Sequence, residues 1–521
     1  MNSVMRKAAI LLILTGMLVS ACGTSLWGTY DASLTPTPTS GGMVIADPQP
    51  TPTNLLLPRA TTPAVTILPS PTVTPTAAVT PGTPRPPIIY RSQSGDSLEA
   101  VALHFGVQVS EITSSGSFPS TGLLDPNTLL IIPNVLAQTP TTPSLQIIPD
   151  SELVYSPSAV GFAIDSYINL RGGYLSTFRE PLANSLTTGA EGIRQIANGS
   201  SVSPRMLLAL IQYYTGWVQG QPNSGVNATY PLGYQDSQYT GLFLQLHLIV
   251  RDLLAGYYGW RDGKLTTLTF PDNTILRLAP DQNAGSVALQ YMFSQHLNYV
   301  EWQLAIDPDT GFPFLFTSMF GDPWELARET GPLFPPDVTQ PIFTLPFEVN
   351  VLWNLTSGPH PAWEQQSALG ALDFAPAGVE DCAETNAWAV AIASGQIVRS
   401  EFGYVVLDVD PDGFEQTGWV VLYFHIATKD RIRSGTVVKA GDHIGHPSCE
   451  GGMATGTHIH IARKYNGEWV SAGDPLPFIL SGWTAHAGSQ LRQGTLTRGE
   501  RTITASPVGS HESQIIRKPG E

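Results

Sequence analysis

Apolar and polar positions alternate along this chain with three different rhythms. Between residues 345 and 485 the period is two, in "WAVAIASGQIVRS", "YVVLDVD", "GWVVLYFHI" and "GTHIHIARK", with glycines and short polar turns between the runs. That rhythm predicts strands. Residues 148–335 repeat at helical spacing instead. "GAEGIRQIANGSSVSPRMLLALIQYYTGWV" reads as two helices, the second with Ser203 at its N-cap and Pro204 in its first turn. "YTGLFLQLHLIVRDLLAGYYGW" contains Arg251 and Asp252 and so reads as a buried amphipathic helix rather than a membrane span. "NAGSVALQYMFSQHLNYVEWQLAI" is a further helical run. Residues 88–134 mix both rhythms: strand-like "IIYR", a turn at Gly95-Asp96, a helix carrying Leu98, Val101, Ala102 and Phe105, and the strand "TLLIIP" stopped by Pro133. The pattern predicts a multidomain chain: a small mixed module, a mostly α middle domain and an all-β C-terminal domain with an antiparallel sheet.

The first 87 residues follow none of these rhythms. Arg6 and Lys7 precede the apolar run "AAILLILTGMLV" and the small residues "VSAC". The run is short for a membrane span, so residues 1–21 read as an export signal. This stretch resembles a bacterial lipoprotein signal, which implies that Cys22 becomes a lipidated N-terminus; an ordinary secretory signal is the alternative. Residues 22–87 are rich in proline and threonine, as in "SPTVTPTAAVTPGTPRPP". Such a segment buries too little apolar surface to fold and reads as an extended stalk. A second linker, 135–147, contains "AQTPTTPS". Residues 486–521 read as a polar tail with one strand-like piece, "RTITAS", and no assigned function.

The length of 521 residues allows two to four domains. The net charge of -16 disfavours nucleic acid and anionic membrane surfaces as partners, leaving the lipid anchor as the expected membrane contact. There are three cysteines. With Cys22 lipidated, Cys382 and Cys449 remain, either as two buried thiols or as a disulfide, which export permits. Such a bridge closes a long loop and would stabilise by about 4 kcal/mol in the chain-entropy picture.

Tyr90, Gly95, Asp96, Ser97, Leu98, Val101, Ala102, Leu130, Ile132 and Pro133 make residues 88–134 resemble a LysM module. The resemblance implies a βααβ fold that binds N-acetylglucosamine-containing glycan. Asn127 stands where that family usually has glycine, and the asparagine usual after the second helix is absent from "EITSSGSF". Residues 148–335 faintly resemble lysozyme-like muramidases through "YTG" at 214–216 and "GLFLQL" at 241–246. The general acid of that family would then be replaced by Tyr214. An unperturbed phenol, with a pKa of about 10, is a poor acid for a glycosidic oxygen, so a degenerate domain without glycosidase activity is expected.

Six of the eleven histidines lie between 345 and 485: His360, His425, His443, His446, His458 and His460. On a strand, His458 and His460 share one face while Ile459 and Ile461 take the other. Alone, such a pair is as consistent with a hydrogen-bonded structural pair as with a metal site. His443 and His446 in "GDHIGHPS" read as turn residues.

The wider pattern resembles the lysostaphin/staphylolysin (LytM-like) zinc peptidases, which cut peptide bonds in peptidoglycan. It comprises "SGPHPAWEQQSALGALDFA", with Asp373 thirteen positions after His360, then "LYFHI" with His425, and "SCEGGMATGTHIHIARKYNGEWV" with Cys449, His458 and His460. Many relatives have a shorter His-x-x-x-Asp, a position filled here by Leu369. The resemblance implies zinc held by His360, Asp373 and His460. His425 and His458 would share the roles of base and oxyanion stabiliser, in an undetermined order. The expected protein is an exported, lipid-anchored zinc endopeptidase on the outer face of the membrane, held to peptidoglycan glycan by its LysM-like module. The rival is a non-catalytic cell-wall scaffold or a regulator of a partner hydrolase.

Overall fold

The computed structural model describes residues 85–521 except 117, 120, 183, 184, 224 and 364. The expected signal 1–21, the lipidation site Cys22 and nearly all of the stalk lie outside the described residues. Among the described residues, no helix is long and apolar enough to cross a membrane.

In the N-terminal module, β1 (Ile88–Arg91), α1 (Leu98–Phe105) and β2 (Leu129–Ile132) close on a small core of Tyr90, Leu98, Val101, Phe105, Leu130 and Ile132. The strands pair antiparallel, with Ile88 opposite Ile132. The Ser97 hydroxyl caps α1 by accepting from the Ala100 N–H, and Gly106 ends the helix in the left-handed region. The expected second helix is only a 3-10 turn, Val109–Glu111. The following "TSSGSFPSTG" has no apolar periodicity to hold a longer helix against the core.

The middle domain is helical. It contains α2 (Asp150–Leu153), α3 (Ile164–Arg171), the hairpin β3 (Arg179–Leu182) and β4 (Ser185–Thr188), α4 (Gly189–Ser200), α5 (Pro204–Thr215) and α6 (Leu242–Arg261). The hairpin β5 (Thr267–Thr269) and β6 (Ile275–Arg277) follows, then α7 (Ala284–Ser294), α8 (Tyr299–Ala305), α9 (Phe312–Phe320) and α10 (Pro323–Thr330). Two details differ from the sequence pattern. Ser203 takes the N-cap position of α5 but its hydroxyl makes no capping bond. The helical run from Ala284 breaks before Asn298, whose side chain accepts from the Val300 and Glu301 N–H groups and starts a new helix.

The C-terminal region is β-structure. It contains β7 (Leu352–His360), β8 (Ala371–Pro376), β9 (Ala389–Val390), β10 (Gly395–Glu401), β11 (Tyr404–Asp408), β12 (Trp419–Phe424), β13 (Val437–Val438) and β14 (His443–Gly445). Beyond these come β15 (Ile459–Tyr465), β16 (Glu468–Trp469), β17 (Ile479–Leu480), β18 (Trp483–Ala487), β19 (Gly494–Arg498), β20 (Arg501–Thr504) and β21 (Gln514–Ile516). The main antiparallel sheet runs β13-β10-β11-β12-β15-β8-β7-β21, with β16 paired to β15. Strands β17 to β20 form a second, four-stranded sheet.

The expected polar tail 486–521 is therefore folded, and the C-terminal domain does not end at 485. β21 pairs with β7, Ile515 is buried, and β19 and β20 complete the second sheet. These strands are too short to stand out as apolar alternation. They are held by pairing with strands whose inner faces are already covered. His443 likewise opens β14 rather than a turn.

The main sheet is buried on both faces. Leu372, Phe374, Val421, Tyr423, Ile459 and Ile461 point into the core of the β domain. Val406, Val420, Leu422 and Ala462 point the other way, into the core of the helical domain. The expected linker 135–147 is also tied down: the Thr142 N–H donates to the Arg277 carbonyl at 2.7 Å, and Ile147 is buried.

Arg261, at the end of α6, joins all three parts. Its Nε and Nη2 donate to Glu468 on β16, both at 3.0 Å, and Nη2 also reaches Asp150 at 2.9 Å. Its Nη1 donates to the Ser94 carbonyl in the N-terminal module. A Cβ on Gly95 would come within 2.3 Å of this guanidinium, and Gly95 has a φ of +86°, a backbone conformation that favours glycine. Nearby, His104 stacks on Trp260 at 3.5 Å and its Nε2 donates to the Trp260 carbonyl at 3.0 Å.

Truncating Arg261 leaves Glu468 buried without its main counter-charge. Arg261→Ala should cost about 3–5 kcal/mol, read as a lower denaturation midpoint. His104 predicts a pH dependence. Burial, reinforced by Arg277 and Arg261, pushes its pKa from 6.5 down to about 3. The unfolded state then binds the extra proton below about pH 6.5, so this stabilisation is present above that pH and is lost on acidification towards pH 3. At pH 5 the loss should be about 2 kcal/mol. His104→Phe should flatten the fall in melting temperature between pH 7 and pH 5.

Candidate metal centre

Three neighbouring strands bring three side chains to one point. His460 on β15 stands directly opposite Asp373 on β8. His360 ends β7, whose register with β8 shifts between Ser357 and His360. The thirteen-residue spacing from His360 to Asp373 is the rest of a loop, 361–370, that turns the chain from β7 back into β8. His360, Asp373 and His460 are 2%, 5% and 8% exposed. His360 Nε2 lies 3.2 Å from Asp373 Oδ1, His460 Nδ1 lies 3.3 Å from it, and the two nitrogens are 3.0 Å apart.

Hydrogen bonds on the far sides of the rings fix the protons. His360 Nδ1 is 2.9 Å from the Gly358 carbonyl, and His460 Nε2 is 3.1 Å from the Ala362 carbonyl. A carbonyl only accepts, so each of those nitrogens carries the hydrogen. The inward atoms, His360 Nε2 and His460 Nδ1, are then lone pairs, as is Asp373 Oδ1, which has no hydrogen-bond partner. Three acceptors this close repel one another unless a cation lies between them. Their separations match the edge of a tetrahedron with metal–ligand bonds of about 2.0–2.1 Å, which is about 3.3 Å. The residues therefore fit a metal ion.

The electrostatics agree. Burial raises the Asp373 carboxyl, whereas positive charge beside it, on the His360 and His458 rings, outweighs burial and holds the group well below the usual carboxylate range; a cation among the three ligand atoms would act in the same sense. Burial lowers His460, so its neutral form, the one that ligates, is favoured.

Two more imidazoles border the group. His458 precedes β15; its Nδ1 donates to the Gly456 carbonyl at 2.7 Å and its Nε2 lies 3.8 Å from Asp373 Oδ1. His425 follows β12 with a φ of +61°, and its Nδ1 donates to the Glu450 carbonyl at 2.9 Å. Their rings are 4.4 Å apart, and the same tautomer logic leaves both Nε2 atoms as acceptors. Burial drives His425 down to about 3. Cys382 and Cys449 form a disulfide across 67 residues, and the Thr457 N–H donates to the Asp381 carbonyl at 2.6 Å. Together these pin the turn that leads into His458.

Other sequence-singled residues lie elsewhere. His443 stacks on Trp388 at 4.3 Å and pairs with Glu348 at 3.0 Å, while His446 Nδ1 donates to the Ala387 carbonyl at 2.8 Å. Tyr214 donates to the Met292 sulfur at 3.8 Å, and burial pushes its hydroxyl further up, away from any acid role. Gln245, in "GLFLQL", accepts from the Leu232 N–H at 2.9 Å and so holds a loop of the helical domain. Two features escaped the sequence reading. Arg492, from the supposed tail, reaches Asp373 Oδ2 at 3.3 Å, and nothing in the local pattern marked it. Asp408, Asp410 and Asp412 form an acidic turn signalled by "DVDPDG", but the buried Asp408 carboxylate is engaged by the Asp410 and Gly413 N–H groups of the same turn.

Fold and site define an antiparallel β domain with a histidine–carboxylate centre, joined to a helical domain. Residues 146–334 of that helical domain match the family described as LasA, N-terminal domain. No curated protein matches the chain. Among solved structures, the M23 metalloprotease pseudoalterin from the deep sea is 20% identical, with 32% of this chain and 96% of that one covered and a TM-score of 0.26. The catalytic domain of lysostaphin from Staphylococcus simulans is 24% identical, covering 24% and 90%, with a TM-score of 0.18. A putative M23 peptidase from Pseudomonas aeruginosa is 23% identical, covering 28% and 56%, with a TM-score of 0.19.

If the three converging acceptors hold a cation, His460→Ala and Asp373→Ala should lose bound metal in elemental analysis, while His458→Ala should retain it. Equal loss in all three would place His458 among the ligands.

Proposed function

We propose that this chain is a zinc-dependent endopeptidase that hydrolyses peptide bonds in peptidoglycan stem peptides or cross-bridges. The observation that carries this reading is the convergence of three buried lone-pair atoms from His360, Asp373 and His460 beside two imidazoles with free acceptors. Two neutral imidazoles and one carboxylate suit zinc and leave a net positive charge at the ion. Zinc so held supplies Lewis-acid activation of a water and polarisation of the scissile carbonyl.

The chain's own residues supply the rest. Gly358 and Ala362 hold the two ligating rings in the required tautomers through their carbonyls. Asp373 stays ionised. His458 and His425 present bare Nε2 atoms, suited to taking the proton of the attacking water and returning it to the leaving amine. The partner not acting as base would stabilise the oxyanion only with a hydrogen on its Nε2, which burial opposes at His425.

The substrate class comes from the sequence resemblance to peptidoglycan peptidases, supported by the export-like N-terminus and the LysM-like module. In this reading the protein works outside the cytoplasm, anchored by lipid on Cys22. Glycan held by the module would sit at a fixed offset from the site, because Arg261 and the His104–Trp260 stack lock the module to the helical domain. That favours one strand length or geometry over a freely swinging tether.

The test uses the folded chain from the stalk onward, purified peptidoglycan and mass spectrometry of released fragments. New amino termini that disappear with a zinc chelator and with His458→Ala are expected. Intact cross-links from several wall types would favour a non-catalytic scaffold, and new glycan ends would indicate a glycosidase instead.

A further inference from the structure

Asp373 divides its two oxygens between different partners. Oδ1 is buried, has no hydrogen-bond partner and faces the two ligating imidazoles. Oδ2 meets Arg492 Nη1 at 3.3 Å. Arg492 comes from the turn between β18 and β19, in the segment whose composition reads as a tail. Among the described residues, the other ion-pair partners of Asp373 are His360, His458 and His460. Arg492 is thus the permanent positive charge on this carboxylate.

The backbone fixes where that charge stands. The Gly358 N–H donates to the Arg492 carbonyl at 2.8 Å, and the Arg492 N–H donates to the Pro359 carbonyl at 3.4 Å. The turn is therefore fastened to the end of β7 that carries His360. The approach is close: a Cβ on Gly358 would lie 2.6 Å from the Gln493 backbone. Arg492 itself has a φ of +68°, a conformation uncommon for a residue with a side chain and often found at functional sites.

We propose that Arg492 is a positioning residue of the metal centre: by holding Asp373 Oδ2 it presents Oδ1 alone to the ion and fixes the carboxylate rotamer. This rests on the metal-centre reading above. A free carboxylate can turn to offer either oxygen or both. A donor on Oδ2 removes that freedom before metal arrives, as outer partners of metal ligands commonly do. The exposed position of the guanidinium, 60% accessible, keeps its own desolvation cost small.

The test measures zinc affinity by competition with a chromophoric chelator on the full chain, independently of peptidase activity. Arg492→Ala should weaken zinc binding about 10–100-fold. Arg492→Lys should recover part of the loss, since it restores charge without the planar fork. Arg492→Asn guards against a folding defect, because asparagine tolerates a positive φ while lacking the guanidinium. The melting temperature of the metal-free protein should be the same for Arg492→Asn and the unaltered chain, with only the metal-induced rise reduced. Equal zinc affinity in Arg492→Asn and the unaltered chain would overturn the proposal. Failure of the unaltered chain to bind zinc would overturn the metal-centre reading itself, and this proposal with it.

Discussion

The mutual repulsion of three lone pairs is the constraint on which the rest of the C-terminal domain depends. His360 Nε2, His460 Nδ1 and Asp373 Oδ1 lie within 3.0–3.3 Å of one another with no hydrogen between them. Such an arrangement is tolerable with a cation in its midst, and the surroundings over-determine the positions of all three atoms. The register of β15 against β8 sets His460 opposite Asp373, the irregular end of β7 swings His360 in, and the Gly358 and Ala362 carbonyls lock both rings. The disulfide and the Thr457 bond hold the approach to β15 from the other side.

The helical domain takes part in that over-determination. His460 and Ala462 share one face of β15, and Ala462 packs into the helical core beside Leu422 and Val420 of the neighbouring β12. Ala362, whose carbonyl fixes His460, is buried in the same core. Its neighbour Trp363 lies against Gly199 at the end of α4, where a Cβ would come within 2.6 Å of the indole. A shift of the helical domain would therefore move the loop between two of the converging side chains. The described residues form a fused body around the sheet, and Arg261 and the ordered 135–147 segment make the same point at the N-terminal side.

The candidate site was partly legible. Strand alternation alone placed His458 and His460 on one face, because the period of a strand is a local property. Alternation also separated the helical and β regions correctly. Linking His360, Asp373 and His425 to that pair needed the resemblance to a known motif, since nothing local relates residues one hundred positions apart. Ser203 illustrates a limit within a single element: it holds the N-cap place, yet its hydroxyl makes no capping bond.

What the sequence determined by itself was therefore whatever depends on neighbours along the chain: strand and helix periodicity, the proline- and threonine-rich composition of residues 22–87, and the shared face of the two histidines. The tertiary structure decided what depends on register and approach. It made the supposed tail into the edge strand β21 and the strands β19 and β20 of the second sheet, shortened the expected second helix of the first module to one turn, and brought Arg492 onto Asp373. The physical reason is the same in each case. A short strand or a lone arginine gains its stability from partners that are distant in sequence, and no local pattern records which partners those are.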